Sequence, residues 1–215
     1  MKPLSFYAQV VNFLFPINCA VCGTSGCILC EGCFGTCTTT NTYTLPKDTL
    51  AIFSYKDKTI RHIIKKIKYN NRHAYTKSFG PLLNELIVEE LADRLIQSDQ
   101  YILCPIPLSN KKNRVHNHAQ KIAEAIRQQN TGATIKQLLI KKIQTKQQAH
   151  TRNKSERIAN MHGVFGATSV SIAPNTPIVI VDDVITTGTT MAEAMRVLKK
   201  HYGKHRTIIG VAIAH

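Results

Sequence analysis

Residues 178–190 read IVIVDDVITTGTT, and they decide both the fold and the site that we predict for this chain. Four aliphatic residues predict a buried strand, and two carboxylates, Asp182 and Asp183, follow at its carboxyl end. A turn of small residues then leads into a predicted helix, MAEAMRVLKK. The free backbone N–H groups and the dipole of a helix N-terminus favour a phosphate at such a turn. The residues predicted to bind it are Thr186, Thr187, Gly188, Thr189 and Thr190.

The acid pair indicates what accompanies the phosphate. Carboxylates suit the vicinal hydroxyls of a ribose, as an acidic residue does in dinucleotide-binding folds. Sugar hydroxyls beside a phosphate indicate a ribose 5-phosphate. The alternative is an ordinary parallel strand with a threonine-rich helix start, which leaves the two carboxylates unexplained. Over all thirteen positions, the stretch resembles the signature for 5-phosphoribosyl-1-pyrophosphate (PRPP) in type I phosphoribosyltransferases.

Length and charge narrow the class of protein. The chain has 215 residues, enough for one α/β domain and a small appendage, which we place at 46–215 and 1–45. Lys and Arg number 28 against 13 Asp and Glu, a formal charge of +15. The only charged residues in 1–45 are Lys2 and Glu31, so the excess of positive charge lies in the larger domain. Such a domain suits polyanions, anionic small molecules or solubility alone. The sequence contains no run of 18 apolar residues, so we expect no transmembrane helix.

Most of the seven cysteines are clustered near the N-terminus. Two C-x2-C pairs separated by a short spacer can place four thiolates around one structural, tetrahedral Zn2+. A disulfide framework is the alternative, and it requires an oxidising compartment. Cys27 or Cys37 could replace one ligand, and Cys104 is predicted to be an apolar core residue. The predicted zinc ligands are Cys19, Cys22, Cys30 and Cys33.

The apolar N-terminal stretch LSFYAQVVNFLFP precedes this cluster. Phe6, Val10, Phe13 and Leu14 recur at helical spacing, which predicts a short amphipathic helix packed on the rest of the protein. Contact with a membrane surface is the alternative, although helices that bind membranes usually carry basic residues that this one lacks.

A basic amphipathic helix is predicted after a linker at 38–48 and a strand, LAIFSY. Its isoleucines at i, i+3, i+4 and i+7 indicate the buried face. The cations on another face are predicted to contact a phosphate backbone, or else form a solvated surface. The isoleucines are Ile60, Ile63, Ile64 and Ile67, and the cations are Arg61, Lys65, Lys68 and Arg72.

The middle of the chain predicts further α/β units: a helix at 79–98, a strand in YILCPIPLS, and a strand or strand-like segment at 133–140. Lys111, Lys112 and Arg114 follow the second strand and open the next helix. In an open parallel sheet that edge holds the ligand, so these residues are predicted to bind pyrophosphate. The polar span 141–157 is a predicted lid, and RTIIGVAIAH is the final strand.

The order of these features resembles the ComF family of competence-associated, amidophosphoribosyltransferase-like proteins with an N-terminal zinc finger. Beyond the cysteine pairs and the quoted signature, the resemblance includes PIPLS with its basic continuation and the T-x-x-Q spacing. One departure is Val115, which stands where the family has a glycine in an R-G-F-N-Q-A run. The remaining matched positions are Thr145, Gln148, Arg152, Asn153, Arg157 and Asn160.

The resemblance implies an α/β protein, with a type I phosphoribosyltransferase-like parallel sheet flanked by helices and a small zinc ribbon. It implies a role in natural transformation, in which single-stranded DNA is handled on the cytoplasmic side together with a helicase or channel. Asp182 and Asp183 would be catalytic residues acting on PRPP with Mg2+. The alternative is an active phosphoribosyltransferase of nucleotide metabolism with an unidentified acceptor, so the enzymatic status stays open.

Overall fold

The structure, a computed structural model, describes residues 17–69, 74–95, 100–108, 117–142 and 163–215. Within these ranges, helices flank a five-stranded parallel sheet, which confirms the predicted α/β fold, and two short strands form a separate antiparallel pair. The strands are β1 (Thr49–Phe53), β2 (Tyr101–Pro105), β3 (Ala133–Ile135), β4 (Leu139–Lys141), β5 (Phe165–Ala167), β6 (Ile178–Val181) and β7 (Ile208–Ala214). The helices are α1 (Glu31–Phe34), α2 (Lys58–Tyr69), α3 (Ala74–Lys77), α4 (Gly80–Leu95), α5 (His118–Arg127) and α6 (Thr189–Tyr202), with a 3-10 turn at Thr42–Thr44.

Strand β6, from the stretch that opened the sequence analysis, lies in the middle of the sheet. The strand order is β1-β7-β6-β2-β3, and all neighbours are parallel. Val181, the last residue of β6, is in register with Pro105 of β2 and with Val211 of β7. Parallel strands end at the same edge, so the segments that leave β2 and β6 emerge side by side.

Two hydrophobic clusters cover the two faces of this sheet. Along β6, Val179 and Val181 face a cluster that includes α2, α4 and α5, whereas Ile178 and Ile180 face α6 and the β4–β5 pair. Successive strand residues point to opposite faces, and all four are fully buried. A continuous apolar run is what a central parallel strand needs when helices cover both of its faces.

Helix α2 has the predicted buried face. Its four isoleucines are all buried in the hydrophobic cluster that also contains Val179 and Val181. Asp57 begins the helix, because its Oδ1 accepts hydrogen bonds from the backbone N–H of Thr59 at 2.8 Å and of Ile60 at 3.1 Å. Packing of the isoleucines determines which way the remaining side chains of this helix point.

The strand or strand-like segment predicted at 133–140 is divided between two strands of different sheets. Residues 133–135 join the central sheet beside β2, whereas residues 139–141 pair with β5 in the antiparallel ladder. Gln137 lies between them and donates hydrogen bonds to the carbonyl of Pro105 at 3.2 Å and of Leu139 at 2.7 Å. The apolar pattern runs through both strands because both are half-buried, and a pattern of burial does not reveal that the pairing partner changes.

The segment at 38–48 is more than a linker. Residues 38–40 lie antiparallel to β1: the N–H of Thr40 donates to the carbonyl of Ile52 at 2.9 Å, and the N–H of Ser54 donates to that of Thr38 at 2.8 Å. This pairing covers an edge strand that would otherwise present free backbone groups. The cysteine-rich segment also packs on the core, because its residue Ile28 is fully buried in the cluster that contains the isoleucines of α2.

Several predictions lie outside the described residues. They are the N-terminal helix with Phe6, Val10, Phe13 and Leu14; the nucleic-acid residue Arg72; the pyrophosphate residues Lys111, Lys112 and Arg114; and all of the predicted lid beyond residue 142. Among the helices that the structure describes, none is long and apolar enough to span a membrane.

Candidate functional site

The turn between β6 and α6 has the backbone geometry of an anion site. Gly188 caps α6 with φ 74° and ψ −5°, and its carbonyl accepts the N–H of Ala192 at 2.8 Å. Positive φ favours glycine, and the surroundings require it as well. A Cβ at position 188 would lie 2.4 Å from Cγ of Pro46, so there is no room for a side chain.

Threonine hydroxyls surround the first turn of α6. Oγ1 of Thr187 and Oγ1 of Thr189 are hydrogen-bonded at 2.8 Å, while Thr186 and Thr187 are exposed. No side chain among the described residues caps this helix N-terminus. A cavity of about 20 Å³, room for about one water, lies between Asp182, Thr190 and the turn. The arrangement offers backbone N–H groups and hydroxyl donors to an anion that approaches from solvent.

The acid pair follows directly at the end of β6. Oδ1 of Asp182 accepts the backbone N–H of Asp183 at 2.8 Å, and the N–H of Asp182 donates to the carbonyl of Val211 at 3.0 Å. Burial first, and then the negative charge of Asp183, raise the pKa of the Asp182 carboxyl to about 7. At neutral pH the pair therefore sits close to a change in its charge.

Lys68 reaches this pair from α2. Its Nζ lies 3.1 Å from Oδ1 of Asp183, with the lysine side chain 26% exposed and the aspartate 14%. The sequence grouped Lys68 with Arg61 and Lys65 for nucleic-acid contact, but the structure gives it a different partner. Helical spacing cannot reveal such a contact, because Asp183 lies on a strand end more than a hundred residues away.

Arg61 and Lys65 are exposed on α2. The guanidinium of Arg61 lies 5.6 Å from the centre of the Tyr55 ring, and its Nη2 donates to the carbonyl of Lys56 at 3.3 Å. Among the described residues, Arg61 and Lys65 are therefore the exposed cations of the predicted surface, whereas Lys68 forms an ion pair with Asp183.

His215 ties the turn to the chain that leads into β1. Its Nδ1 lies 2.9 Å from the carbonyl oxygen of Ile185, and its Nε2 lies 3.0 Å from that of Thr44. Both partners are acceptors. A neutral imidazole donates one of these bonds, and the imidazolium donates both. Neither His215 nor Pro46 belongs to a local motif, so no sequence pattern indicated that they contact this turn.

The segment after β2 runs beside the acid pair. The N–H of Ile106 donates to the carbonyl of Val181 at 2.9 Å, directly before Asp182. Asn117 then caps α5: its Oδ1 accepts the N–H of Gln120 at 3.4 Å, and its Nδ2 donates to the carbonyl of Ile106 at 3.0 Å. In the sequence, the residues predicted to bind pyrophosphate fall between Ile106 and Asn117, outside the described residues.

The four predicted zinc ligands come together. The sulfur atoms of Cys19, Cys22, Cys30 and Cys33 all lie within 4.8 Å of one another, and those of Cys22 and Cys30 are 3.6 Å apart. Four thiolates about 2.3 Å from one Zn2+ would be separated by about 3.8 Å, so the donor set and its size fit the metal. All seven cysteines lie in described ranges and are free thiols, so the disulfide framework is not formed.

The thiols of this cluster influence one another. Backbone hydrogen bonds from Cys22 and then Cys30 lower the pKa of Cys19 to about 6, whereas the thiols of Cys30 and Cys22 raise that of Cys33 to about 12. A metal must displace the protons that remain. Cys27 and Cys37 are not members of the cluster, and burial raises the pKa of both thiols. Cys104 is fully buried, as predicted, and burial raises its pKa to about 12.

Comparisons with known proteins identify a family for the larger, C-terminal part of the chain. The sequence model of the phosphoribosyl transferase domain family matches residues 87–215, which is more than half of the chain and includes the acid pair and the turn. No curated protein matches the chain in sequence. Among solved structures, the chain is similar to the AQ2163 protein from Aquifex aeolicus, with a TM-score of 0.40 and 12% identity over 77% of this chain and 86% of that chain.

Proposed function

The chain belongs to the phosphoribosyl transferase domain family, and we propose that it binds PRPP with Mg2+ at the edge of the sheet where β6 ends. One observation carries the proposal: a central buried strand ends in two carboxylates and a left-handed glycine that opens a helix of 14 residues. Residues 186–190 hold the 5-phosphate through backbone N–H groups and hydroxyls. Asp182 and Asp183 accept hydrogen bonds from the ribose hydroxyls.

Each group has a role if the site also transfers the ribosyl group. The bond from C1 to the pyrophosphate oxygen breaks, its electron pair leaves with the pyrophosphate, and a bond from C1 to the acceptor forms. The carboxylates stabilise the positive charge that develops on the ribose ring. Lys111, Lys112 and Arg114 hold the departing pyrophosphate. When bound together with PRPP, Mg2+ would supply positive charge that stabilises that leaving group.

A PRPP titration of the purified protein tests the proposal. Calorimetry with and without Mg2+ should give a saturable one-site isotherm that depends on the metal. Asp183→Asn should weaken binding about 10- to 100-fold, the effect of losing a charged hydrogen-bond acceptor. Asp93→Asn, an exposed carboxylate on α4, is the matched control and should bind as the wild type does. Absence of PRPP binding to the wild type would overturn the proposal.

Single-stranded DNA is the second ligand that we propose, with the protein acting in natural transformation as the ComF resemblance implies. The supporting observations are the exposed Arg61 and Lys65 on α2 and the formal charge of +15. Arg72, which lies outside the described residues, is a further cation that the sequence predicts for this contact. With zinc bound, the cysteine-rich segment serves as a structural element, and a helicase or channel of DNA uptake is the expected protein partner.

Fluorescence anisotropy with a labelled single strand at several salt concentrations tests the second ligand. The double substitution Arg61→Ala/Lys65→Ala should weaken binding and make the slope of log K against log salt shallower by about 1.4, because each lost phosphate contact contributes about 0.7. Lys77→Ala/Lys200→Ala removes the same charge elsewhere and should leave the slope unchanged. No binding at moderate salt, or equal losses in both double variants, would contradict a specific α2 surface.

Turnover is the alternative to binding alone. Release of pyrophosphate from PRPP, lost in Asp182→Ala/Asp183→Ala, would identify an active phosphoribosyltransferase of nucleotide metabolism. Saturable binding without release would identify a PRPP-binding module. The same protein sample answers both questions, because calorimetry reports occupancy and a coupled pyrophosphate assay reports turnover.

A further inference from the structure

We propose that Lys68 is a positioning residue for the acid pair, through which α2 sets the affinity of the site for the ribose of PRPP. The ligand in this inference rests on the proposed function, whereas the contact between Lys68 and Asp183 does not. Nζ of Lys68 and Oδ1 of Asp183 are 3.1 Å apart, and both side chains are largely withdrawn from solvent.

The charge balance of the pair explains why a cation belongs there. Two adjacent carboxylates repel each other, and burial disfavours the ionised form of Asp182. An opposite charge within about 4 Å favours ionisation. Burial and Asp183 raise the pKa of Asp182, and Lys68 opposes both effects. The contact at 3.1 Å also holds the orientation of the Asp183 side chain toward the ligand edge.

The surroundings of the pair leave this role to Lys68. Strand β7 contributes backbone groups: the carbonyl of Val211 accepts the N–H of Asp182, and the N–H of Ile213 donates to the carbonyl of Asp183 at 3.2 Å. The first turn of α6 contributes Thr190. The His215 ring binds the carbonyl of Ile185 instead. In the part of the chain that the structure describes, Lys68 is the cation that pairs with these carboxylates.

The position of Lys68 is held by the core. Ile67 and Ile64 are buried at 2% and 0% exposure, so α2 cannot rotate without exposing them. This holds the stem of Lys68 toward the end of β6, while Lys65 and Lys58 face solvent. A neutral residue at position 68 would remove the positive charge beside the pair and would raise the affinity of Asp182 for a proton. A protonated carboxyl is a weaker acceptor for a ribose hydroxyl.

Carbon-detected NMR of the aspartate carboxyls between pH 4 and 9 tests the positioning role without any ligand. In Lys68→Met, the titration midpoint of Asp182 should rise by about 1 unit above the wild type. Lys68→Arg should restore it, because the charge is retained. Lys58→Met, a change of the same type at the exposed start of α2, should not move it. An unmoved midpoint in Lys68→Met would overturn the inference.

PRPP titrations at pH 6 and pH 8 add the second readout. Lys68→Met should lose about 10-fold in affinity at pH 6 and clearly less at pH 8, where Asp182 ionises more readily without Lys68. An equal loss at both pH values that Lys68→Arg does not recover would mean that Lys68 contacts the ligand directly, and it would overturn the positioning role. If the wild type does not bind PRPP, the proposed function fails, and the carboxyl titration still decides the role of Lys68.

Discussion

The cluster of four cysteines and the turn at Gly188 are built in different ways. The four cysteines lie in one short segment, and local backbone bonds shape it: the N–H of Gly23 donates to the carbonyl of Cys19 at 3.1 Å, and that of Cys33 donates to Cys30 at 3.0 Å. The turn at Gly188 depends instead on distant residues, because Pro46 packs against it and His215 ties it to the chain before β1. Spacing in the sequence is therefore a good guide to the first site and a partial guide to the second.

The largest effect should come from replacing one of the four clustered cysteines, which we propose as zinc ligands. Cys22→Ser should reduce zinc from about one equivalent to a small fraction and should lower the melting temperature strongly, because metal binding contributes about 10 kcal/mol in small zinc sites. Part of the core would be lost as well, since the rings of Phe34 and Phe53 meet at 5.2 Å. Metal analysis and thermal unfolding measure both effects.

Cys27→Ser is the control for that experiment, because Cys27 lies in the same segment and outside the cluster. It should retain its zinc and most of its stability. Loss of zinc in Cys27→Ser together with retention in Cys22→Ser would show that the ligand set is wrong.

A substitution of Gly188 should have the next largest effect on stability. Gly188→Ala adds a Cβ at positive φ and forces it against Pro46, so we expect a loss of about 3 kcal/mol in unfolding free energy together with weaker PRPP binding. Gly163→Ala is matched in φ, at 81°, and meets nothing within 4 Å. It should cost only the backbone term, about 1–2 kcal/mol. Denaturant unfolding of both variants isolates the contact with Pro46, and equal losses would mean that the contact is unimportant.

The acid pair should make stability depend on pH. The pKa of Asp182 is raised from 3.8 to about 7, so the folded state retains a proton that the unfolded chain has lost. The stability that this retained proton contributes is fully present below pH 4 and is lost as the pH rises to about 7. Asp182→Asn should remove a decline on the order of 2 kcal/mol across that window, a figure reduced for solvent screening.

Urea unfolding at several pH values between 4 and 8 measures this decline as the difference between wild type and variant. Glu89→Gln, an exposed carboxylate on α4, should run parallel to the wild type. Parallel curves for Asp182→Asn as well would show that burial does not hold a proton on this carboxyl.

The smallest effect should come from the tie between the turn and the chain before β1. His215→Ala removes hydrogen bonds to Ile185 and Thr44, which we expect to cost about 1–2 kcal/mol and to weaken PRPP binding a few-fold. His205→Ala changes an exposed histidine of the same segment and serves as the control. Hydrogen exchange at the turn should increase in His215→Ala only. Unchanged exchange there would mean that the turn holds its shape alone.

Much of the fold could be predicted because it depends on periodicity. The isoleucines of α2 recur at helical spacing and are all buried, and the uninterrupted run in β6 is buried on both faces. The boundaries between partners could not be predicted in this way. Residues 133–140 show one apolar pattern, yet they divide between two sheets, because burial and pairing are separate properties of a strand.

By itself, the sequence determined the features that depend on neighbouring residues: the strand, acid pair and glycine turn of residues 178–190, and the four thiols at C-x2-C spacing. Their geometry follows from bond lengths and from backbone rules that act over a few residues. Only the tertiary structure decided that Lys68 meets Asp183 and that Pro46 packs against Gly188. Those contacts depend on how α2 and the chain before β1 pack against the sheet, and the energy of that packing is distributed over residues that are remote in sequence.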